Sequence, residues 1–213
     1  MMLNNYKIKL LAAILMLVDH IGAVFFPGIV IFRIIGRFSF PLFILLLVDG
    51  EKHTHHFGQY CLRLLILGIL SQPIVWLLFL ATHWNILFTL LLGLLGLRLV
   101  RIFPEWRLII WLIGSAIAQL LNLEYGAYGI VAIALIHNFR MSVIWWAGWI
   151  GLHLGLLLIY PNFAIAQLPA IFVPFVLEVA NHRRGQKARW FYLFYPLHLF
   201  GLWLIHQALA VSL

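Results

Sequence analysis

Apolar residues run along this chain in stretches too long and too evenly hydrophobic for the one-sided stripe of a soluble helix. Between Ile8 and Phe26 the charged or imidazole positions are Lys9, Asp19 and His20, and everything around them is aliphatic, aromatic or small. A run of roughly 20 such residues, at a rise of about 1.5 Å each, matches the ~30 Å hydrocarbon core of a bilayer. Marking these runs predicts nine helical spans at about 8–26, 37–50, 57–80, 85–103, 107–122, 125–139, 141–160, 162–180 and 190–211. Breakers separate them: Pro27-Gly28, Asp49-Gly50-Glu51, Thr82-His83, Pro104, Asn122, Arg140, Pro161-Asn162 and the stretch from Asn181 to Arg189. The second and sixth runs are short for a full crossing, and Ile29 to Gly36 reads as a re-entrant or interfacial piece buried in protein, so the count is eight to ten. Gly151 and Gly155 form a small-xxx-small pair that predicts close helix packing inside a bundle. Lys7 and Lys9 ahead of the first run resemble a signal peptide, but Asp19-His20 interrupts it and Phe-Phe-Pro-Gly follows without a small-x-small cleavage pattern, which predicts a retained helix.

Composition narrows the class. Of 213 residues, 65% are hydrophobic and only 9% charged, too few to cover a water-exposed surface, which excludes a soluble enzyme, a nucleic-acid module and a disordered chain. The expected fold is an all-α polytopic membrane helix bundle, one integral membrane domain over residues 1–213 with short loops. Fourteen Lys and Arg against six Asp and Glu leave a net charge of +8, and its placement carries topology rather than nucleic-acid binding. With a cytoplasmic amino terminus, the inner side holds Lys7, Lys9, Lys52, Arg63, Arg98, Arg101, Arg107, Arg140, Arg183, Arg184, Lys187 and Arg189, while the outer loops near 81–84, 122–124 and 160–162 hold no Lys or Arg. Arg33 and Arg37 alone break the rule. The single cysteine, Cys61, excludes an intrachain disulfide and a Cys-based metal cluster.

An exception to a regular charge rule is where functional charge is sought, and it lies near Asp19 and His20, some 18 Å into the first helix. Polar groups at that depth cost on the order of 2.5–3.5 kcal/mol each and face a bundle or a wet cavity. Neighbours on a helix point about 100° apart, so Asp19 does not orient the His20 imidazole. The expected arrangement pairs Asp19 with Arg33 or Arg37 and leaves His20 facing a cavity; the structural alternative is an ion pair that only fixes helix packing. If 33–37 is helical, the two arginines share a face and can hold an anion or an oxyanion together. Glu124, heading Glu-Tyr-Gly-Ala-Tyr-Gly with Tyr128 inside it, suits a substrate mouth or an exposed loop. Gln72 before Pro73, Asn85 before the fourth apolar run, and His198 in the last span each read equally as substrate-binding groups or as kink, cap and packing residues. His137, His153 and His206 read as packing or interfacial. His53, His55 and His56 have only Glu51 as a nearby acid, so no metal is expected.

Several strings together resemble the TraX family of membrane proteins, named for acetylation of the pilin amino terminus: Asp19-His20-Ile21-Gly22, Arg33-Ile-Ile-Gly-Arg37 with Phe40-Pro41-Leu42-Phe43, Gly50-Glu-Lys-His53-Thr54 and Tyr60-Cys-Leu-Arg63-Leu64. They continue through Ser71-Gln72-Pro73, Asn85-Ile-Leu-Phe-Thr89, Tyr125-Gly-Ala-Tyr-Gly129 and Phe194-Tyr195-Pro196-Leu197-His198, covering nearly the whole chain in order. That family is similar in turn to larger transmembrane acyltransferases of the acyltransferase-3 type, which carry a basic residue and a histidine on the first helix at the spacing of Lys9 and His20, and an arginine where Arg63 stands. The resemblance implies acetyl-CoA as acyl donor, bound through Lys9, Arg63 and His53. The catalytic set would be His20, Asp19 and Arg37. Substrate contacts would come from Arg33, Glu124, Tyr128, Asn85, Gln72, His198 and Tyr195. Eleven helical residues from Lys9 to His20 span about 16 Å, near the length of an extended pantetheine arm.

The expected activity is therefore transfer of acetyl from cytosolic acetyl-CoA to an amine or hydroxyl of a peptide, glycan or lipid acceptor at the outer face of a bacterial inner membrane. His20 would be the general base or, less simply, a transient acetyl carrier. The rival from another class is a small proton-coupled transporter or flippase, in which buried Asp, His and Arg form a gate; the absence of an internal repeat tells against it. A bundle that only scaffolds partners would leave these groups without a task.

Overall fold

In a computed structural model that describes residues 2–188 and 190–211, the apolar runs become helices. In chain order they are α1 (Asn5–Phe25), α2 (Val30–Gly36), α3 (Ser39–His53), α4 (Phe57–Phe79), α5 (Ile86–Ile102), α6 (Arg107–Leu120), α7 (Gly126–His137), α8 (Val143–Ile159), α9 (Pro161–Gln167), α10 (Pro174–Glu178) and α11 (Trp190–Val211). Their starts are set by capping: the side chains of Asn4, Asn85 and Ser142 accept the backbone N–H of Lys7, Leu87 and Trp145, supplying partners for donors that the first turn leaves orphaned. Five stretches, Asn5–Phe25, Val30–His53, Phe57–Phe79, Pro161–Glu178 and Trp190–Ala210, are long and apolar enough to cross a membrane. Arg189, the last of the basic residues placed on the inner side, lies outside the described residues.

The helix surfaces suit hydrocarbon as solvent. Leu62, Ile66, Ile69, Leu70 and Leu77 of α4 and Leu108, Leu112 and Ile113 of α6 are exposed, forming apolar faces that water would not tolerate at this extent. The core lies instead along α3 and α7. Phe40, Leu42, Ile44, Leu45 and Leu47 of α3 pack with Tyr128, Ile130, Ile133 and Ile136 of α7 in one buried cluster. At twelve residues α7 is only about 18 Å long, and its buried side chains show that protein, not lipid, surrounds much of it.

Several expectations from the pattern are corrected. Asp49-Gly50-Glu51 does not break the second run, because α3 continues to His53 with Asp49 and Glu51 buried inside it. The acids are tolerated there because each is paired: Glu51 meets Arg98 at 3.0 Å and Arg101 as well, and Asp49 meets His182 at 2.9 Å. The run at 162–180 is divided into α9, a 3₁₀ segment at Leu168–Phe172 and α10, since Pro169 and Pro174 lack the N–H that a continuous helix needs. The piece at 29–36 is helical, but Ile29, Val30, Ile31, Ile34 and Ile35 are exposed rather than buried in protein. Gly151 and Gly155 face open space, with nothing within 4 Å of a Cβ at either, so they mark no close packing within the bundle.

The two ends of the bundle differ in charge. At one, Leu3 pairs with Ala180 and Asn5 donates to the Arg183 carbonyl at 2.8 Å, tying the amino terminus to the connection before α11. Lys9, Arg63, Arg98, Arg101 and Arg183 gather toward this end. At the other, Trp84 donates to the Asn122 carbonyl at 3.0 Å and Glu124 donates to the Trp84 carbonyl at 2.8 Å, joining the α4–α5 and α6–α7 connections. Arg33 and Arg37 stand there. Gly36 lets α2 close onto α1 at this end, because a Cβ at that position would overlap the Asp19 carboxylate. Gly36→Ala is expected to lower stability by about 1–3 kcal/mol in detergent, read as a reduced thermal midpoint. Gly28→Ala, where a Cβ meets nothing within 4 Å, is the matched control and should leave the midpoint unchanged.

Candidate functional site

Asp19 and His20 leave α1 in different directions, as helical geometry requires, and each finds a different partner. The Asp19 carboxylate turns toward α2. Arg37 Nη2 donates to both of its oxygens at 2.7 Å, and Arg33 Nη1 donates to Oδ2 at 2.7 Å and to the Asp19 carbonyl at 3.3 Å. One acid thus holds two arginines one helical turn apart, and the cluster keeps a net positive charge. Arg37 is buried at 6% exposure and also donates Nη1 to the Tyr125 hydroxyl at 3.3 Å. Short charge-assisted bonds of this kind offset the large desolvation cost of burying the ions.

His20 turns toward α11. Its Nδ1 lies 2.8 Å from Nε2 of His198, and Nδ1 of His198 lies 2.7 Å from the Phe194 carbonyl. The two imidazoles are nearly coplanar, 6° apart, and are walled by the rings of Phe79 and Phe194. This contact joins residues 178 positions apart, so spacing could not announce it.

Two cavities meet at this cluster. The first, about 240 Å³, is lined by Asp19 and His20 at one end and by Lys9, Arg63, Thr54 and Tyr192 at the basic end. Its walls between are mostly apolar, with Phe43, Leu64 and Phe194 among them, and Tyr195 also lines it. Arg63 is exposed at the mouth, donating to the Tyr192 hydroxyl at 3.3 Å with its guanidinium 5.2 Å from that ring. The second cavity, about 610 Å³, lies toward the opposite end and is lined by Arg33, Arg37, Gln119, Asn122, Tyr128 and Gln167. Glu124 and Tyr125 line both. Tyr125 adopts φ +65, a left-handed backbone that a bulky residue rarely takes, and its ring stacks on Phe40 at 4.1 Å. The Thr89 hydroxyl donates to the Glu124 carbonyl at 2.5 Å. Burial pushes the Glu124 carboxyl above its ordinary range, opposed by nearby His83, Arg37 and the Ile86 N–H.

The arrangement brings together Lys9, Asp19, His20, Arg63 and Tyr195 around the first cavity, and Arg33, Arg37 and Tyr128 around the second. It separates other candidates from both. Gln72 and Asn85 belong to a structural cap: Asn85 Nδ2 donates to the Gly68 carbonyl at 2.8 Å and to Gln72 Oε1 at 2.9 Å, while Gln72 Nε2 donates to the His83 carbonyl at 3.1 Å. Their polar atoms fasten α4 to the start of α5, and neither lines either of these two cavities. His53 is exposed at the end of α3, bonded to the Asp49 carbonyl, and Thr54 rather than His53 reaches the first cavity. His198, read from the sequence as a substrate contact, is the partner of His20. Tyr128 reaches His153 at 3.2 Å, and His153 is fully buried as a packing residue. Tyr60, Tyr125 and Tyr192 also line the first cavity, although none is among the residues expected at the site; Tyr60 and Tyr125 stand within strings that carry the family resemblance, and Tyr192 has no such signal.

The clamp at Asp19 carries a stability test. Asp19→Asn leaves the buried Arg37 without its counter-ion and is expected to cost about 3–5 kcal/mol in thermal or denaturant unfolding in detergent. Adding Arg37→Gln should recover part of that loss, and strictly additive losses would show that the two are not coupled.

The family model described as TraX protein matches residues 5–206. The "Probable fimbrial assembly protein FimC, serogroup H1" of Dichelobacter nodosus is 26% identical to this chain over 226 residues, covering 92% of this chain and 93% of that protein. No solved structure matches. With the match spanning α1 to the last turns of α11, the chain belongs to the TraX family.

Proposed function

We propose that this protein is a membrane-embedded acetyltransferase that takes acetyl from cytosolic acetyl-CoA and passes it to an acceptor on the other side of a bacterial inner membrane. The observation that carries this reading is His20 lining one cavity with Lys9 and Arg63, with a second cavity beginning at Glu124 and Tyr125 directly beyond. Lys9 and Arg63 supply cationic partners for the donor's phosphates at the basic end, which is the cytoplasmic side in this reading. The apolar middle of the cavity suits an uncharged pantetheine arm, and the ~16 Å from Lys9 to His20 along α1 suits its length.

His20 acts as general base through Nε2. The acceptor's lone pair attacks the thioester carbonyl carbon as its proton passes to Nε2; the C–S bond then breaks and that proton is returned to the leaving sulfur, giving acetylated acceptor and the free thiol. Arg33 and Arg37 line the second cavity, so they orient the acceptor there. Arg37 has little freedom to reach an oxyanion in the first cavity, because Asp19 and Tyr125 hold its terminal nitrogens. Asp19 positions the two arginines. The relative named for fimbrial assembly supports a fimbrial protein as the acceptor, and the resemblance to the TraX family implies an amino-terminal amine as the site of transfer.

Reconstituted protein supplied with radiolabelled acetyl-CoA and an acceptor peptide should form acetylated peptide, and His20→Ala should reduce the rate by at least about 100-fold. Lys9→Gln and Arg63→Gln should each raise KM for acetyl-CoA by roughly 10-fold with kcat little changed. Undiminished transfer by His20→Ala would overturn the assignment, and peptide flux across the bilayer without covalent change would establish a proton-coupled carrier instead.

A further inference from the structure

The His20–His198 contact contains more information than proximity. The Phe194 carbonyl can only accept a hydrogen bond, so the proton on His198 sits on Nδ1, 2.7 Å away. For neutral rings this leaves His198 Nε2 as a lone pair. Nε2 lies 2.8 Å from His20 Nδ1, which must therefore carry the proton and donate. The remaining nitrogen of His20, Nε2, is then the basic one, and no hydrogen bond to it is found among the described residues. A backbone carbonyl on α11 thus sets the tautomer of an imidazole on α1 through an intervening ring.

From this geometry we infer that His198 is the positioning residue of the site: through Phe194 O···His198···His20 it fixes the His20 ring and tautomer so that Nε2 faces the first cavity as a free base. The inference rests on the proposed acetyl transfer and adds to it the group that performs the orienting task a carboxylate commonly performs. Asp19, the obvious carboxylate, is excluded from that task because both of its oxygens are held by Arg33 and Arg37. When Nε2 takes the acceptor's proton, the imidazolium keeps its Nδ1–H bond to the His198 lone pair, so the charge formed in the reaction has a fixed acceptor within hydrogen-bond distance. Two tyrosines that line the same cavity are placed otherwise: the Tyr125 hydroxyl receives the Arg37 bond, and Tyr195 packs beside His198 with ring centroids 5.7 Å apart.

The test pairs kinetics with a spectroscopic readout. His198→Leu removes the acceptor, whereas the amide oxygen of His198→Gln can take the place of Nε2. Expected are a kcat roughly 100-fold lower for His198→Leu with KM for acetyl-CoA unchanged, and recovery to within about 10-fold of wild type for His198→Gln. A folded His198→Leu protein with wild-type kcat, or a His198→Gln protein as slow as His198→Leu, would overturn the inference. Ring-¹⁵N spectra of wild-type protein in nanodiscs decide the matter even if His198→Leu does not fold: the His20 signal should be that of an Nδ1–H, Nε2-bare ring at neutral pH, and an Nε2–H ring would overturn it. The spectra need no turnover. If they show the expected tautomer while wild-type protein transfers no acetyl, the acetyltransferase reading fails and the positioning of His20 stands.

Discussion

The Asp19 carboxylate, clamped by two guanidiniums beside a glycine, is the constraint on which the opposite end of the bundle depends. A buried ion cluster is stable only when nearly every polar atom has a partner, so its geometry admits little variation. Gly36 leaves room for the carboxylate between α1 and α2. Arg33 and Arg37, one turn apart, reach it from the same face, and Arg37 extends the network to Tyr125 at the start of α7. Three segments, α1, α2 and the distant start of α7, are held in register by these few bonds. The same clamp removes Asp19 from any pairing with its neighbour in sequence and leaves His20 to a different face of the helix.

Charge and space are arranged along one axis. Basic side chains gather where the chain's amino terminus meets the connection before α11, while the Arg33–Arg37 pair stands at the other end, held there by the Asp19 carboxylate. Between them lie two cavities with a shared wall at Glu124 and Tyr125. The left-handed backbone of Tyr125, held against Phe40, is the kind of local strain that a structure retains where a side chain must stand in one place. In the proposed reaction, a polyanionic donor entering from the basic end and an acceptor entering from the other approach each other across that wall, with His20 on the donor side.

Not all of the buried polarity belongs to the proposed chemistry. Gln72 and Asn85 satisfy one another and the backbone at the junction of α4 and α5, where Pro73 interrupts the regular ladder. Glu51 with Arg98 and Arg101, and Asp49 with His182, secure the basic end. These groups look as costly in sequence as Asp19 and His20 do, because burial of a polar side chain is expensive whatever its purpose. What separates them is whether the polar atoms end in one another or face a cavity.

The length and uniformity of the apolar runs determined from sequence alone that this is an all-helical bundle with membrane-length helices. The helix interior demands long apolar segments and the breakers interrupt them locally, both properties of neighbouring residues. The placement of Arg33 and Arg37 against the charge rule, and the 100° offset between adjacent helical residues, were also enough to direct Asp19 toward the arginines rather than toward His20. Tertiary structure decided the rest: that Asp49 and Glu51 sit inside a helix, that 162–180 is divided, that Gln72 and Asn85 cap, and that His198 rather than any acid meets His20. Each of these depends on a partner brought near by packing from a distant part of the chain, and hydrophobic periodicity records which face is buried without recording what it is buried against.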